Sequence, residues 1–190
     1  MYRVSRVNHV VPIRSFFGLS GAKGGSQCYK ITRKVSTPPD ILYQVIADVS
    51  KYDDFVPFVT SSFVNKLDQK TKLPTEAGFR VGWKQYDENF TCKLVCSENK
   101  IVAESISISL FENLRNEWHL REVKSRFTKE SSTLVEVVLK YKFRNPLYNT
   151  LSSLFHEQVS NIIIKAFESR AMDIKIQRKL GDRMNTGTID

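Results

Sequence analysis

The chain has 190 residues, of which 41% are hydrophobic, so it can form one domain with a buried core and is not disordered throughout. The first 39 residues contain no Asp or Glu and carry seven of the nine net positive charges. The rest of the chain is only mildly basic, which argues against a nucleic-acid-binding surface.

Residues 1–26 combine arginines with apolar residues and end in a Gly- and Ser-rich piece. This composition is typical of a mitochondrial transit peptide, and a disordered basic tail is the alternative. A secretory signal would need an uninterrupted apolar core, which this segment lacks. No apolar run in the chain approaches the roughly 20 residues of a transmembrane helix.

The next segment predicts one strand and two short helices. Alternation over 27–36 indicates the strand. Prolines at 38 and 39 and an apolar face beyond them predict a helix from about 39 to 48. The stretch "SKYDDFVPF" predicts a second short helix that ends at Pro57, because the residue before a proline disfavours helical backbone.

Residues 59–144 are expected to form successive antiparallel strands joined by short polar turns. The strands are predicted at about 59–67, 77–86, 89–97, 100–110, 114–126 and 132–144. The "DEN" at 87–89 is interpreted as one of the turns, so Asp87 and Glu88 are not taken as paired catalytic acids. Apolar residues share one face of the last strand, from Val135 to Phe143, so one face of the sheet needs a cover.

The cover is predicted in "YKFRNPLYNTLSSLFHEQVS", residues 141–160, where strand-like alternation meets Pro146 and helical spacing begins. Apolar residues then recur on one helical face, with Val159 and Ile163 widening the stripe. Its main members are Leu147, Leu151, Leu154, Phe155, Ile162, Ala166 and Phe167. The helix is expected to run to about residue 179, roughly 45 Å, which is long enough to cross the sheet. Residues 180–190 are expected to be a disordered tail.

This order of elements predicts an α+β domain in which a curved antiparallel sheet of about seven strands wraps around one long C-terminal helix. A strongly curved sheet and a straight helix cannot touch along their full lengths. We therefore expect an apolar cavity between them.

The residues that could carry catalysis or bind metal are scattered. Cys28, Cys92 and Cys96 lack paired metal-ligand spacing, and the last two share one face of a strand, where they are predicted to be small buried hydrophobes. None of the three histidines belongs to a recognised catalytic motif, and no Gly-rich phosphate loop is present. Glu104 and Glu136 are predicted on the solvated face, with orientation of a ligand headgroup as the alternative. The sequence therefore predicts neither a catalytic nor a metal site.

Several stretches resemble a known family: "VSKYDDFVPFVTSS", "YDENFTCKL", "AESISISLFENL" with Trp118, and "YKFRNPLYNTLSSLFHEQVSNIIIKAFESR". Over about residues 27–176 the chain closely resembles the mitochondrial coenzyme Q-binding proteins of the START-like polyketide cyclase superfamily. The resemblance implies the helix-grip fold, which is START/Bet v 1-like, and a lipid-binding domain over residues 27–179.

The resemblance also implies a function. Members of that family bind ubiquinone or its polyprenyl intermediates, act as lipid chaperones for respiratory electron transport and ubiquinone synthesis, and are not catalysts. Ubiquinone is then the ligand, and no cofactor is expected. The expected location is the matrix side of the inner mitochondrial membrane, peripherally bound, with the lipid surface as partner and biosynthetic or respiratory complexes as further candidates. A cyclase or aromatase acting on a quinone precursor, and a ribosome-interacting protein of the same fold, are the alternatives.

Candidate ligand-binding residues are those predicted to face the cavity, and plain core packing is the alternative for each. The second helix and its exit contribute Phe55, Val56, Pro57 and Phe58. The sheet contributes Trp83, Phe90, Leu110, Trp118, Tyr141 and Phe143. The long helix contributes Leu154, Phe155, Val159 and Ile163. Four cations that flank apolar segments are expected to contact anionic lipid: Lys51, Arg144, Lys165 and Arg170.

Overall fold

A computed structural model describes residues 25–83, 86–107, 111–124, 130–144 and 148–186, without the side chains of residues 83, 86, 148–160 and 183–186. Residues 1–24, which make up nearly all of the expected transit peptide, lie outside the described residues. The division into a leader, a domain and a tail therefore stays a prediction.

The fold begins with strand β1 (Gln27–Val35), helix α1 (Pro39–Ala47), a 3-10 turn (Val49–Lys51) and helix α2 (Tyr52–Phe55). Pro39 starts α1 because its fixed backbone angle suits the first helical turn and its missing amide hydrogen is not needed there. The apolar residues of α1 are buried. The predicted strand and the two short helices after it are confirmed.

Six further strands complete one antiparallel sheet. They are β2 (Val59–Leu67), β3 (Pro74–Trp83), β4 (Tyr86–Ser97), β5 (Lys100–Ser105), β6 (Phe111–Lys124) and β7 (Ser131–Phe143). Within the described residues the sheet has seven strands in the order β1-β7-β6-β5-β4-β3-β2. This confirms the predicted fold class.

The predicted turn at 87–89 is wrong, because those residues belong to β4. Trp83 pairs with Tyr86, Gly82 pairs with Asp87 and Val81 pairs with Glu88, so these acidic residues lie within the strand ladder. The Asp87 carboxylate forms a cross-strand ion pair with Arg80. The carboxylates that suggested a turn are thus part of a ladder in which charge pairing offsets their low strand preference.

The long helix α3 runs over 39 residues, Tyr148–Thr186, a length of about 58 Å. It passes through Gly181 and ends about seven residues later than the predicted 179. Its inward face in the described part is Ile164, Phe167 and Ala171, all buried, whereas Ile162 is 45% exposed. The prediction that Ile162 faces the sheet is wrong, because three consecutive isoleucines fit two phases of the helical repeat and the phase of Phe167 and Ala171 is the one that packs.

The main core lies where α1 and α3 meet β6 and β7. It contains Leu42 and Ile46 of α1, Trp118 and Leu120 of β6, Val135 of β7 and the inward face of α3. Polar contacts anchor the C-terminal half of α3. Arg178 pairs with Asp40 at 2.9 Å, and Lys175 donates a hydrogen bond to the carbonyl oxygen of Ser36 at 2.8 Å. The second half of the helix is therefore fixed to both α1 and the β1–α1 connection.

Candidate ligand-binding cavity

A row of aromatic rings crosses the inner face of the sheet. The ring of Phe79 lies 5.9 Å from that of Phe90, which lies 5.5 Å from that of Phe111, which lies 4.9 Å from that of Phe143. The residues share a face because Phe79 pairs with Phe90 and Phe111 with Phe143 in the strand register. We call these four rings, with the adjoining Tyr141, the aromatic row.

A second group of rings joins α2, α3 and the sheet. The Phe167 ring lies 5.2 Å from the rings of Tyr52 and Phe55 and 5.0 Å from that of Trp118, and the Tyr52 ring approaches Phe79 at 6.1 Å. The Tyr52 hydroxyl donates to the carbonyl oxygen of Ile46 at 2.5 Å. Tyr52 thus connects this group to the aromatic row.

A cavity of about 70 Å³ lies between these groups, under the 3-10 turn and α2 and over strands β3 to β6. Tyr52, Phe79, Cys92, Asn116 and Trp118 are among the residues that line it. The volume is well below the roughly 300 to 1,000 Å³ of a typical ligand site. A ligand ring larger than a few atoms can therefore enter only if the side chains at the rim, such as Tyr52 and Phe79, move.

The polar groups of this cavity are uncharged at neutral pH. Burial raises the pKa of Tyr52 above its ordinary value and raises the pKa of the Cys92 thiol to about 11. Asn116 contributes an amide, and its Oδ1 atom is buried without a hydrogen-bond partner. The cavity therefore offers hydrogen-bonding atoms in apolar surroundings and no ionised lining group.

A larger groove of about 340 Å³ lies on the other face of the sheet. Lys93, Lys100, Glu104 and Arg115 line it, together with Val95. Next to it Arg115 and Lys100 hold the pKa of the Glu117 carboxyl at about 2. Such a charged, open surface is unsuited to an apolar ligand, so size alone does not identify the candidate site.

The structure places several predicted residues around the inner face. Phe90, Tyr141 and Phe143 belong to the aromatic row, and Trp118 lines the cavity. Phe55 packs on Phe167, and Val56 beside it is buried. Pro57, Phe58 and Ile163 are partly buried; Ile163 packs against the main core, and Phe58 has a positive φ of 71° at the exit from α2.

Other predicted residues fall where the structure gives no side chain. Leu110 lies outside the described residues. The backbone of Trp83 is in β3 and that of Leu154, Phe155 and Val159 is in α3, but their side chains lie outside the described part. Their proposed roles stay predictions.

Of the four predicted membrane cations, Lys51 lies in the 3-10 turn, Arg144 directly after β7, and Lys165 and Arg170 in α3. Lys51, Arg144 and Lys165 are exposed, whereas Arg170 is partly buried. The Arg170 guanidinium lies 5.9 Å above the centre of the Phe55 ring, so α2 and α3 meet at this residue.

Sequence reasoning missed four residues of the inner face as ligand candidates: Tyr52, Phe79, Phe111 and Asn116. Phe79 and Asn116 each carried a signal. Phe79 alternates with Val81 along its strand, and Asn116 interrupts the apolar alternation of Leu114, Trp118 and Leu120. Phe111 gave no such signal, because a register irregularity between Phe111 and Asn113 breaks the alternation that links it to β6.

A seven-stranded antiparallel sheet that packs against a long C-terminal helix, with an apolar cavity on the same face beneath the short helices, defines a domain of the helix-grip class. Residues 35–168 match the model of the family described as polyketide cyclase / dehydrase and lipid transport, and the chain belongs to that family. This confirms the superfamily to which the sequence resemblance pointed.

Two relatives carry the name "Coenzyme Q-binding protein COQ10, mitochondrial". The one from Eremothecium gossypii is 37% identical over 179 residues, which are 92% of this chain and 85% of the relative. The one from Saccharomyces cerevisiae is 35% identical over 83% of this chain and 78% of the relative. The resemblance to coenzyme Q-binding proteins is confirmed by these matches.

Two solved structures show the same fold. A START superfamily protein from Mycobacterium smegmatis superposes with a TM-score of 0.67 over 79% of this chain and 99% of its own, at 15% identity. An aromatase/cyclase from a Streptomyces species gives a TM-score of 0.63 over 78% of this chain and 94% of its own, also at 15% identity. At such identity these structures support the fold alone.

Proposed function

We propose that the protein binds ubiquinone or its polyprenyl intermediates in the hydrophobic cavity on the inner face of the sheet, and acts as a lipid chaperone for respiratory electron transport and ubiquinone synthesis. The observation that carries the proposal is the aromatic row, which leads from Phe143 to a cavity whose polar atoms are neutral. Aromatic and apolar walls suit a prenyl chain, and a few neutral polar atoms suit a quinone ring. The names of the two relatives support this choice of ligand.

The chemistry of the cavity supports binding in preference to catalysis. Among its described lining residues there is no carboxylate, histidine, lysine or arginine, and Tyr52 and Cys92 have raised pKa values. A general base is effective when its pKa lies near the working pH, which neither residue satisfies. We therefore propose a binding protein that uses no cofactor and holds ubiquinone as its ligand.

The size of the ligand points to a membrane partner. A polyprenyl tail cannot fit in a cavity of about 70 Å³, and each CH₂ exposed to water costs about 0.8 kcal/mol. The headgroup and first prenyl units would lie against the inner face of the sheet while the distal tail stays in lipid. We propose that the protein works peripherally at the matrix side of the inner mitochondrial membrane, where biosynthetic or respiratory complexes are its further candidate partners.

Organic extraction of the purified protein, followed by mass spectrometry, tests the proposal. We expect a copurified quinone or prenylated precursor, at a lower amount in Phe111→Ala because the aromatic row is interrupted. Phe63→Ala is the matched control, since Phe63 packs on Gly78 outside the row. Wild-type extracts that contain no prenylated ring compound, together with no uptake of added ubiquinone from vesicles, would contradict the proposal.

A further inference from the structure

Asn116 is a polar residue among apolar neighbours on the inner face of β6. The strand alternates, so that Leu114, Asn116, Trp118 and Leu120 point inward. On the other face Arg115 forms an ion pair with Glu117, and the His119 ring contacts the same carboxylate. A leucine or valine at 116 would complete the apolar surface. An amide at this position therefore weakens the core unless something in the cavity bonds to it.

The Oδ1 atom of Asn116 is buried and has no hydrogen-bond partner. The other polar groups of the cavity do not offer it a ready donor: the Tyr52 hydroxyl hydrogen already bonds to the carbonyl oxygen of Ile46, and a thiol such as Cys92 is a weak donor. The acceptor is thus left for a group that enters the cavity.

We propose that Asn116 Oδ1 accepts a hydrogen bond from a hydroxyl on the ring of the bound ligand. A fully oxidised quinone has only acceptor oxygens, so it leaves Oδ1 unsatisfied, whereas a quinol or a phenolic prenylated precursor brings the donor that the cavity lacks. The site is therefore selective for the hydroxylated ring. This inference rests on the proposed function and adds the chemical state of the ligand.

The geometry fits this assignment. Asn116 shares the cavity with Tyr52 and Phe79, and Phe79 is the first ring of the aromatic row. A ring whose hydroxyl reaches Asn116 would therefore lie beside the Phe79 end of the aromatic row. The small volume suits the oxygen-bearing edge of a ring, with the prenyl substituent outside it.

Equilibrium binding of decylubiquinol and decylubiquinone under anaerobic conditions tests the inference. We expect the wild type to bind the quinol about tenfold more tightly, because one additional hydrogen bond to a buried acceptor is worth about that factor. Asn116→Leu, which keeps the shape but not the polarity, should lose this preference by weakening quinol binding and leaving quinone binding within about threefold.

Asn113→Leu is the matched control, because Asn113 lies on the same strand but is exposed. It should retain the wild-type preference. Equal binding of quinol and quinone by the wild type, or an equal loss of both in Asn116→Leu, would overturn the inference and leave the proposed function standing. Failure of the wild type to bind either compound would overturn both the inference and the proposed function. This comparison uses the wild type alone, so it does not depend on whether a variant folds.

Discussion

The ring of Phe167 on α3 lies 5.0 Å from the ring of Trp118 on β6, and both side chains are buried. Phe167 also contacts Tyr52 and Phe55. One side chain of α3 thus packs against both the sheet and α2.

Phe167→Ala should lower the free energy of unfolding by about 3 to 5 kcal/mol, because it removes a buried ring and leaves a cavity that rigid neighbours cannot fill. Ile162→Ala on the same helix should change it by less than about 0.5 kcal/mol, since Ile162 is 45% exposed. Denaturant unfolding followed by circular dichroism measures both. Similar losses in the two variants would contradict the packing described for α3.

Two glycines should respond in opposite directions to alanine. A Cβ atom at Gly78 would collide with the carbonyl oxygen of Phe90 and approach the Phe63 ring at 2.7 Å, whereas one at Gly181 in α3 meets nothing within 4 Å. We expect Gly78→Ala to destabilise the protein by about 1 to 3 kcal/mol through backbone displacement. Gly181→Ala should stabilise α3 by up to about 1 kcal/mol, because alanine is the better helix former. Melting temperatures of both variants test this, and a stable Gly78→Ala would show that β3 and β4 are farther apart than described.

Most of the fold could be predicted from the sequence because its periodic signals are local. Alternation determined the strands, and Pro39 and Pro57 marked the ends of the short helices. The predictions that failed depended on tertiary contacts: Asp87 is held in β4 by pairing with Arg80, and the phase of α3 is set by packing of Phe167 on Trp118. Neither partner can be identified from spacing within one element.

The candidate site could be predicted only in part. Alternation placed Phe90, Tyr141 and Phe143 on the inner face, and the structure brings the latter two to Phe111. Asn116 was not identified, because a single polar residue in a strand is usually solvated. The proposed role of Asn116 rests on the burial of its Oδ1 atom and on the lack of a hydrogen-bond partner for that atom. Neither property can be read from the sequence.

The outer face of the sheet should make stability depend on pH in the acid range. Arg115 contacts the Glu117 carboxylate at 2.9 Å and Lys100 contacts it at 3.1 Å, and they lower its pKa from 4.5 to about 2. A lowered pKa in the folded state contributes stability above pH 4.5 that is lost as the pH falls towards 2.

Glu117→Gln should therefore be less stable than the wild type at pH 6, by about 1 kcal/mol once the solvent exposure of Arg115 and Lys100 is allowed for. The difference should shrink to nothing near pH 2. Urea unfolding across this range measures it, with Glu98→Gln as the control, since Glu98 is exposed in the turn between β4 and β5. A difference that does not change with pH would contradict the ion-pair explanation.

The thiols should differ in reactivity. Cys28 is exposed, Cys96 is half-buried and Cys92 is buried. Burial raises the pKa of Cys92 to about 11, so at pH 8 only about one Cys92 side chain in a thousand is a thiolate. Alkylation by iodoacetamide, followed by mass spectrometry of the peptides, should modify Cys28 first and Cys92 last. Bound ligand should slow Cys92 further, because Cys92 lines the cavity, and leave Cys28 unchanged. Rapid labelling of Cys92 in folded protein would show that the cavity is open to water.

The proposed membrane contact can be tested at Lys165 of α3. Lys165 is exposed on α3, five residues before Arg170, and α2 beneath Arg170 also carries the exposed acids Asp53 and Asp54, which limit the attraction. Each cation near an anionic surface contributes about 1 kcal/mol, so Lys165→Gln should lower the partition coefficient onto cardiolipin vesicles about fivefold.

Lys93→Gln makes the same charge change in the groove on the outer face of the sheet and should leave binding unchanged. Sedimentation of the protein with vesicles of phosphatidylcholine, with and without cardiolipin, measures both variants against the wild type. Added salt should weaken wild-type binding and reduce its difference from Lys165→Gln, because screening acts on charge and leaves apolar insertion intact. Equal losses in the two variants would mean that net charge alone drives adsorption, which would contradict the proposed membrane contact at Lys165.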